Sequence, residues 1–182
     1  MKRDTMERDL KHTLEEKEIN DMKVSKIFSW TSVLLWMGLI FYLSHQPATE
    51  SNELSTGITQ MILQAVETLV PFATIDINSF NFFIRKSAHF VAYLVLGVLT
   101  IHALRQSGVY GAKSVVTTFV ICVAYAISDE VHQLFIPGRS GEVRDVVIDS
   151  AGAGTGIGLY FFVRALFTCL KKRKSPLASV RK

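Results

Sequence analysis

Ten ionisable side chains drawn from two short stretches of this 182-residue chain could do chemistry together: Arg85, Lys86 and His89, then Asp129, Glu130, His132, Arg139, Arg144, Asp145 and Asp149. Lys86, His89 and Tyr93 follow one another at i, i+3 and i+7, and Asp129, His132 and Gln133 at i, i+3 and i+4, so each trio shares one face of a helix. Asp145 and Asp149 do the same. An enzyme built from these groups would use His89 or His132 as general base, oriented by Asp129 or Asp149, with Arg85, Lys86 and Arg139 holding an anionic phosphate. That chemistry is transfer or hydrolysis at a lipid headgroup or a lipid-linked precursor. A binding site would use the same cations to seat an anionic headgroup, with Tyr93, Glu130, Gln133 and Asp145 around it. A metal would need His89, Asp129, His132 and Asp149 to converge, and the neighbouring Arg and Lys argue against it, so no cofactor is expected. A purely structural alternative pairs Arg85 with Asp129 or Arg139 with Asp145, fixing the packing without chemistry.

The elements that must position these groups are membrane spans. Hydrophobic residues make up 49% of the chain and charged ones 20%, with a mean hydropathy of +0.28. The charge is segregated: the first 26 residues hold seven basic and seven acidic side chains. A hydrocarbon core of ~30 Å needs about 20 apolar residues per helix. Four segments qualify: Ile27 to Leu43, Ser87 to Leu104, Ser114 to Gln133 and Val146 to Leu170. The expected fold is therefore all-α and polytopic, with a charged tail over 1–26, a membrane domain over 27–170 and a basic tail over 171–182. Cys122 and Cys169 lie in apolar runs and read as packing groups, which excludes a disulfide scaffold. The pI near 9.1 reflects basic residues beside the spans, where lipid headgroups and not nucleic acid account for them.

Placing both termini in the cytoplasm puts 16 of the 20 Lys and Arg inside, leaving Arg85, Lys86, Arg139 and Arg144 outside. At ~1.5 Å per residue, His89 and Asp129 each stand roughly 24 Å from their inner anchors Arg105 and Lys113, and Asp149 roughly 22 Å from Arg164. The three should share one layer in an outward-opening polar pocket. Between the first two spans, Leu54, Ile58, Met61, Ile62, Ala65, Val66, Leu69 and Val70 describe an amphipathic helix that ends before Pro71 and lies on the outer membrane face or packs on the bundle. In the fourth span Ser150, Gly154 and Gly158, and separately Gly152 and Gly156, recur every four residues, a spacing that lets helices approach closely, with Gly97 as a partner.

Two blocks resemble the VanZ-like family of small bacterial membrane proteins, over roughly Ile27 to Phe162. The first is Arg85-Lys86-Ser87-Ala88-His89-Phe90 with Tyr93 and Gly97. The second is Ser128-Asp129-Glu130-Val131-His132-Gln133, Phe135 and Pro137-Gly138-Arg139, followed by Asp145, Asp149 and Gly152. Ser44-His45-Gln46-Pro47 resembles a weaker family element. Many members carry a glutamate just before the tyrosine, where this chain has Ala92. The resemblance implies a multi-pass protein of the bacterial cell membrane, acting at the envelope and associated with tolerance of lipid-bearing glycopeptides such as teicoplanin. Its implied partners are membrane lipids and a lipid-linked cell-wall precursor or lipoglycopeptide. It carries no mechanism.

Overall fold

The computed structural model describes residues 2–69 and 77–174. Within them the chain is all-α: α1 (Lys2–Ser44), α2 (Ala48–Leu69), α3 (Ile77–Gln106), α4 (Gly111–Gln133) and α5 (Val143–Lys174). Four stretches are long and apolar enough to cross a membrane: Lys11–Ser44, Ser79–Gln106, Gly111–Gln133 and Val143–Lys171. Their outward faces carry Phe28, Leu34, Leu35, Val116, Val120, Phe162 and Phe167 exposed, as surfaces meant for lipid should. The spans run longer than their apolar cores. The charged stretch before Ile27 is helical from Lys2, continuous with the first span, because neither Gly nor Pro interrupts residues 2–37 and i, i+4 pairs such as Lys11–Glu15 (4.0 Å) line it.

Helix α3 is the hub and packs against all four others, most extensively against α5. Small residues make that possible. A Cβ on Gly97 would stand 2.6 Å from the carbonyl oxygen of Ala153, and one on Gly152 or Gly156 would overlap the carbonyl oxygens of Phe90 and Leu94. The Gly152/Gly156 stripe is thus the contact face. A Cβ on Gly154 would only touch Phe119 at 3.9 Å, and one on Gly158 would meet nothing, so the other stripe turns away.

Polar side chains then tie α1 to its neighbours. Trp36 Nε1 donates to the carbonyl of Ala92 (2.8 Å), Tyr125 Oη to that of Met37 (2.6 Å), and Trp30 Nε1 to Ser107 Oγ (3.0 Å). The two tryptophans thus pack against the core and act as interhelical donors as well. Helix α2 packs on α3, with Ser55 and Thr59 buried and Asn81 Nδ2 donating to Thr56 Oγ1 (3.1 Å). On its other side Leu54, Ile58 and Met61 of the expected apolar face are exposed, while the side chains of Ala65, Val66 and Leu69 lie outside the described residues. Val70 and Pro71 and the last residues of the basic tail lie outside the described residues. The α4–α5 loop returns to the start of α2, where the Ala48 N–H donates to the Pro137 carbonyl (3.2 Å) and Gly138, at φ +74°, turns the chain beside Ala48.

Candidate functional site

All five helices and the α4–α5 loop converge near the ends of α1 and α4. Lys86, one turn before His89, is buried and donates to Asp145 Oδ1 and to Glu142 Oε2 (3.1 Å). This ion triplet joins the start of α3 to the start of α5. His89 follows on the same face, its Nδ1 3.4 Å from Oδ1 of the fully buried Asp149. Asp129 lies across from them on α4, its Oδ2 accepting from Ser44 Oγ (2.9 Å) and at 3.5 Å from Gln133 Nε2. Glu130, next along α4, turns to the loop and accepts the Glu142 N–H on Oε2 (2.8 Å).

A cavity of about 140 Å³ opens between these groups. Its apolar wall is Ile40, Leu43, Ala88 and Ala92, and its polar wall is Ser44, Ser51, Arg85, His89, Tyr93, Asp129 and Arg139. A smaller polar cleft of about 60 Å³, lined by Gln133, Ser140, Glu142 and Asp145 among others, shares Arg85, His89 and Arg139 with it. Those three side chains therefore stand between the two spaces. Tyr93 is fully buried and its hydroxyl finds no protein partner among the described residues.

The two arginines differ from Lys86. Arg139 donates through Nε to the Gln46 carbonyl (3.0 Å) and through Nη2 to that of Leu43 (3.4 Å), and Arg85 donates to Asn52 Oδ1 (3.3 Å). Among the described residues neither has a carboxylate within 4.0 Å. Burial, and then the neighbouring Arg85 guanidinium, push Arg139 below the usual arginine range. The expected pairs of Arg85 with Asp129 and Arg139 with Asp145 are thus absent. Asp129 is occupied by a hydroxyl and an amide, and Asp145 by a lysine.

His89, Asp129, Asp149, Arg85, Lys86, Tyr93, Gln133, Arg139, Asp145 and Glu130 are brought together around this centre. His132 is not part of the cavity wall. Its Nε2 lies 3.1 Å from His45 Nδ1 and its ring stacks on Phe41, centroids 4.5 Å apart, on the α1 side of α4. Arg144 lies 5.2 Å over the Phe82 ring instead of entering the cluster. Sequence reasoning missed Ser51 and Asn52 because α2 was weighed for its apolar face. It also missed Glu142, a loop residue whose partner sits 56 positions away.

The model of the VanZ/LLP1 family matches residues 29–164, which includes every side chain of this centre. No curated protein and no solved structure matches the chain. The chain belongs to the VanZ/LLP1 family and is a multi-pass membrane protein.

Proposed function

We propose that this VanZ/LLP1 protein binds a phosphate-bearing lipid headgroup in the cavity between α1, α3 and α4. The ligand is an anionic membrane lipid or a lipid-linked precursor of the envelope. One observation carries this reading: Arg85 and Arg139 converge on a cavity that has an apolar wall, and among the described residues neither has a carboxylate within 4.0 Å. Two guanidinium groups held together repel, and a phosphate that accepts from both relieves the repulsion while its acyl chains follow the apolar wall. The 16 Lys and Arg near the opposite ends of the spans support cytoplasmic termini, with this cavity on the outer side. Sequestering or masking an outer-leaflet anion is a route to tolerance of acyl-bearing glycopeptides such as teicoplanin.

The His89–Asp149 contact favours a second reading of the same site. A histidine whose Nδ1 faces a carboxylate is oriented as a general base, and its ring lines the cavity that would hold the phosphate. Hydrolysis or transfer at a lipid-linked phosphate is the chemistry that arrangement suits.

The test is retention of lipid by protein extracted from vesicles of phosphatidylglycerol and phosphatidylcholine, read by native mass spectrometry. The wild type should retain the anionic lipid preferentially. An Arg85→Gln/Arg139→Gln variant removes two charge-assisted contacts of about 1.5–3 kcal/mol each and should lose that preference by roughly tenfold or more. Equal retention by a variant that unfolds at the wild-type temperature would overturn the reading. Turnover of a lipid-linked precursor that disappears in His89→Gln would select catalysis over binding.

A further inference from the structure

We infer that His89, Glu130 and Asp149 form a binding site for one divalent metal ion of borderline hardness, such as Mn²⁺ or Zn²⁺, that links α3, α4 and α5. Each residue offers one ligand atom, and these atoms lie within 4.8 Å of one another. The 3.4 Å between His89 Nδ1 and Asp149 Oδ1 is close to the ligand-to-ligand edge of about 3.3 Å set by tetrahedral bonds of ~2.0–2.1 Å. One imidazole with two carboxylates is a donor set used for such ions, with further positions left to water.

Independent support comes from the carboxylates themselves. Asp149 is fully buried, and apart from the 3.4 Å contact of Oδ1 with His89 Nδ1 neither oxygen has a hydrogen-bond partner among the described residues. Glu130 is 5% exposed, and its Oε1 is likewise without one, while Oε2 is fixed by the Glu142 N–H. Buried carboxylate oxygens left unsatisfied are strongly disfavoured, and a metal is the partner that satisfies several at once.

The neighbouring groups do not fill that role. Lys86 is taken by Asp145 and Glu142, and Arg139 is directed to the backbone carbonyls of Leu43 and Gln46. Three cations (Arg85, Lys86, Arg139) stand in this cluster with five carboxylates (Asp129, Glu130, Glu142, Asp145, Asp149), leaving two negative charges when His89 is neutral. A divalent ion balances them. This donor set also differs from the one expected from sequence: Asp129, whose Oδ2 is engaged by Ser44 and Gln133 while Oδ1 is left open, does not belong to the converging group, and His132 faces Phe41 and His45.

The competing occupant is a proton on His89 or on the carboxylates, and the experiment separates the two. Full-length protein purified without chelator is analysed for metal by mass spectrometry, then stripped and titrated with Mn²⁺ by electron paramagnetic resonance. The expected result is one ion per chain with nuclear coupling to a histidine nitrogen, seen in the unaltered protein and changed by ¹⁵N-histidine labelling. His89→Gln should abolish the coupling, and Asp149→Asn should weaken Mn²⁺ binding by more than the roughly 10–100-fold that loss of even an outer-shell partner costs. His132→Gln should leave both unchanged. Protein that carries no metal and binds neither Mn²⁺ nor Zn²⁺ at millimolar concentration overturns the proposal. So does bound Mn²⁺ without histidine coupling, a result available even if the variants do not fold. Neither outcome bears on lipid retention through Arg85 and Arg139.

Discussion

Replacing Gly156 by alanine should destabilise the bundle, whereas the same change at Gly158, two residues on, should not. The difference follows from the seam between α3 and α5. Ordinary contact begins near 3.4 Å, and a Cβ on Gly97 already stands 2.6 Å from the Ala153 oxygen, so even that substitution would part the helices by roughly 0.8 Å. A Cβ on Gly156 overlaps the Leu94 carbonyl oxygen more deeply, and a backbone carbonyl inside a helix cannot swing aside as a side chain could. Overpacking of this kind costs about 1–3 kcal/mol. Alanine returns up to about 1 kcal/mol through its better helix propensity, and at Gly158 that gain stands alone because a Cβ there meets nothing. That gain is common to both positions, so Gly156→Ala should be less stable than Gly158→Ala by the overpacking cost, roughly 1–3 kcal/mol. Thermal unfolding of the purified proteins in one detergent, monitored by tryptophan fluorescence, gives the comparison directly. Equal unfolding temperatures for the two variants would mean that α3 and α5 do not meet along the Gly152/Gly156 stripe.

Lys86→Met should cost about 3–5 kcal/mol, because it leaves Asp145, whose side chain is 8% exposed, charged and unpaired. Adding Asp145→Leu to it should recover much of that loss, and a double variant no more stable than Lys86→Met would refute a structural pair. Single cysteines at Ser51 and Ser140, both beside the cavity or its cleft, should react with a membrane-impermeant maleimide added outside intact cells. Reaction only after the inner face is opened would invert the topology.

The depth of the polar groups was legible in the sequence, but their rotation about each helix was not. A fixed rise per residue, counted from inner anchors, puts His89, Asp129 and Asp149 at one level; in the fold His89 and Asp129 line one cavity and Asp149 touches His89 behind it. Which way α4 faces is harder. Its buried stripe is Ser114, Thr118, Cys122, Ala126, Asp129, Glu130 and Gln133, a set of small and polar residues, while Val116, Phe119, Val120 and Ile127 face outward. In a bilayer the surroundings are as apolar as any core, so hydrophobicity does not mark the inner face, and small side chains do. That is why His132, three residues from Asp129, was grouped with it although it packs on Phe41. It is also why Glu130, an immediate neighbour of Asp129, emerged beside Asp149 only in three dimensions. The glycine seam was legible for the same reason, since close approach needs small residues whatever the solvent.

Charge pairing within the cluster divides structural groups from those left over for a ligand. Lys86 with Asp145 and Glu142 is a closed set: the cation is buried, both acceptors are in reach, and the triplet fixes where α5 begins relative to α3. Asp129 is nearly closed, with Ser44 and Gln133 on one oxygen. Its other oxygen, Oδ1, is buried without a hydrogen bond. Among the described residues Arg85 and Arg139 make hydrogen bonds to neutral oxygens, and Glu130 and Asp149 also present buried oxygens without a hydrogen bond. These four could have neutralised one another, which is the cheapest arrangement for charge near a membrane. They are held apart instead, with the arginines anchored by the α1–α2 turn and by Asn52, and the carboxylates by α4 and α5. Opposite charges that share one cluster without an arginine–carboxylate pair within 4.0 Å among the described residues are what the proposed anion site and the proposed cation site would each draw on.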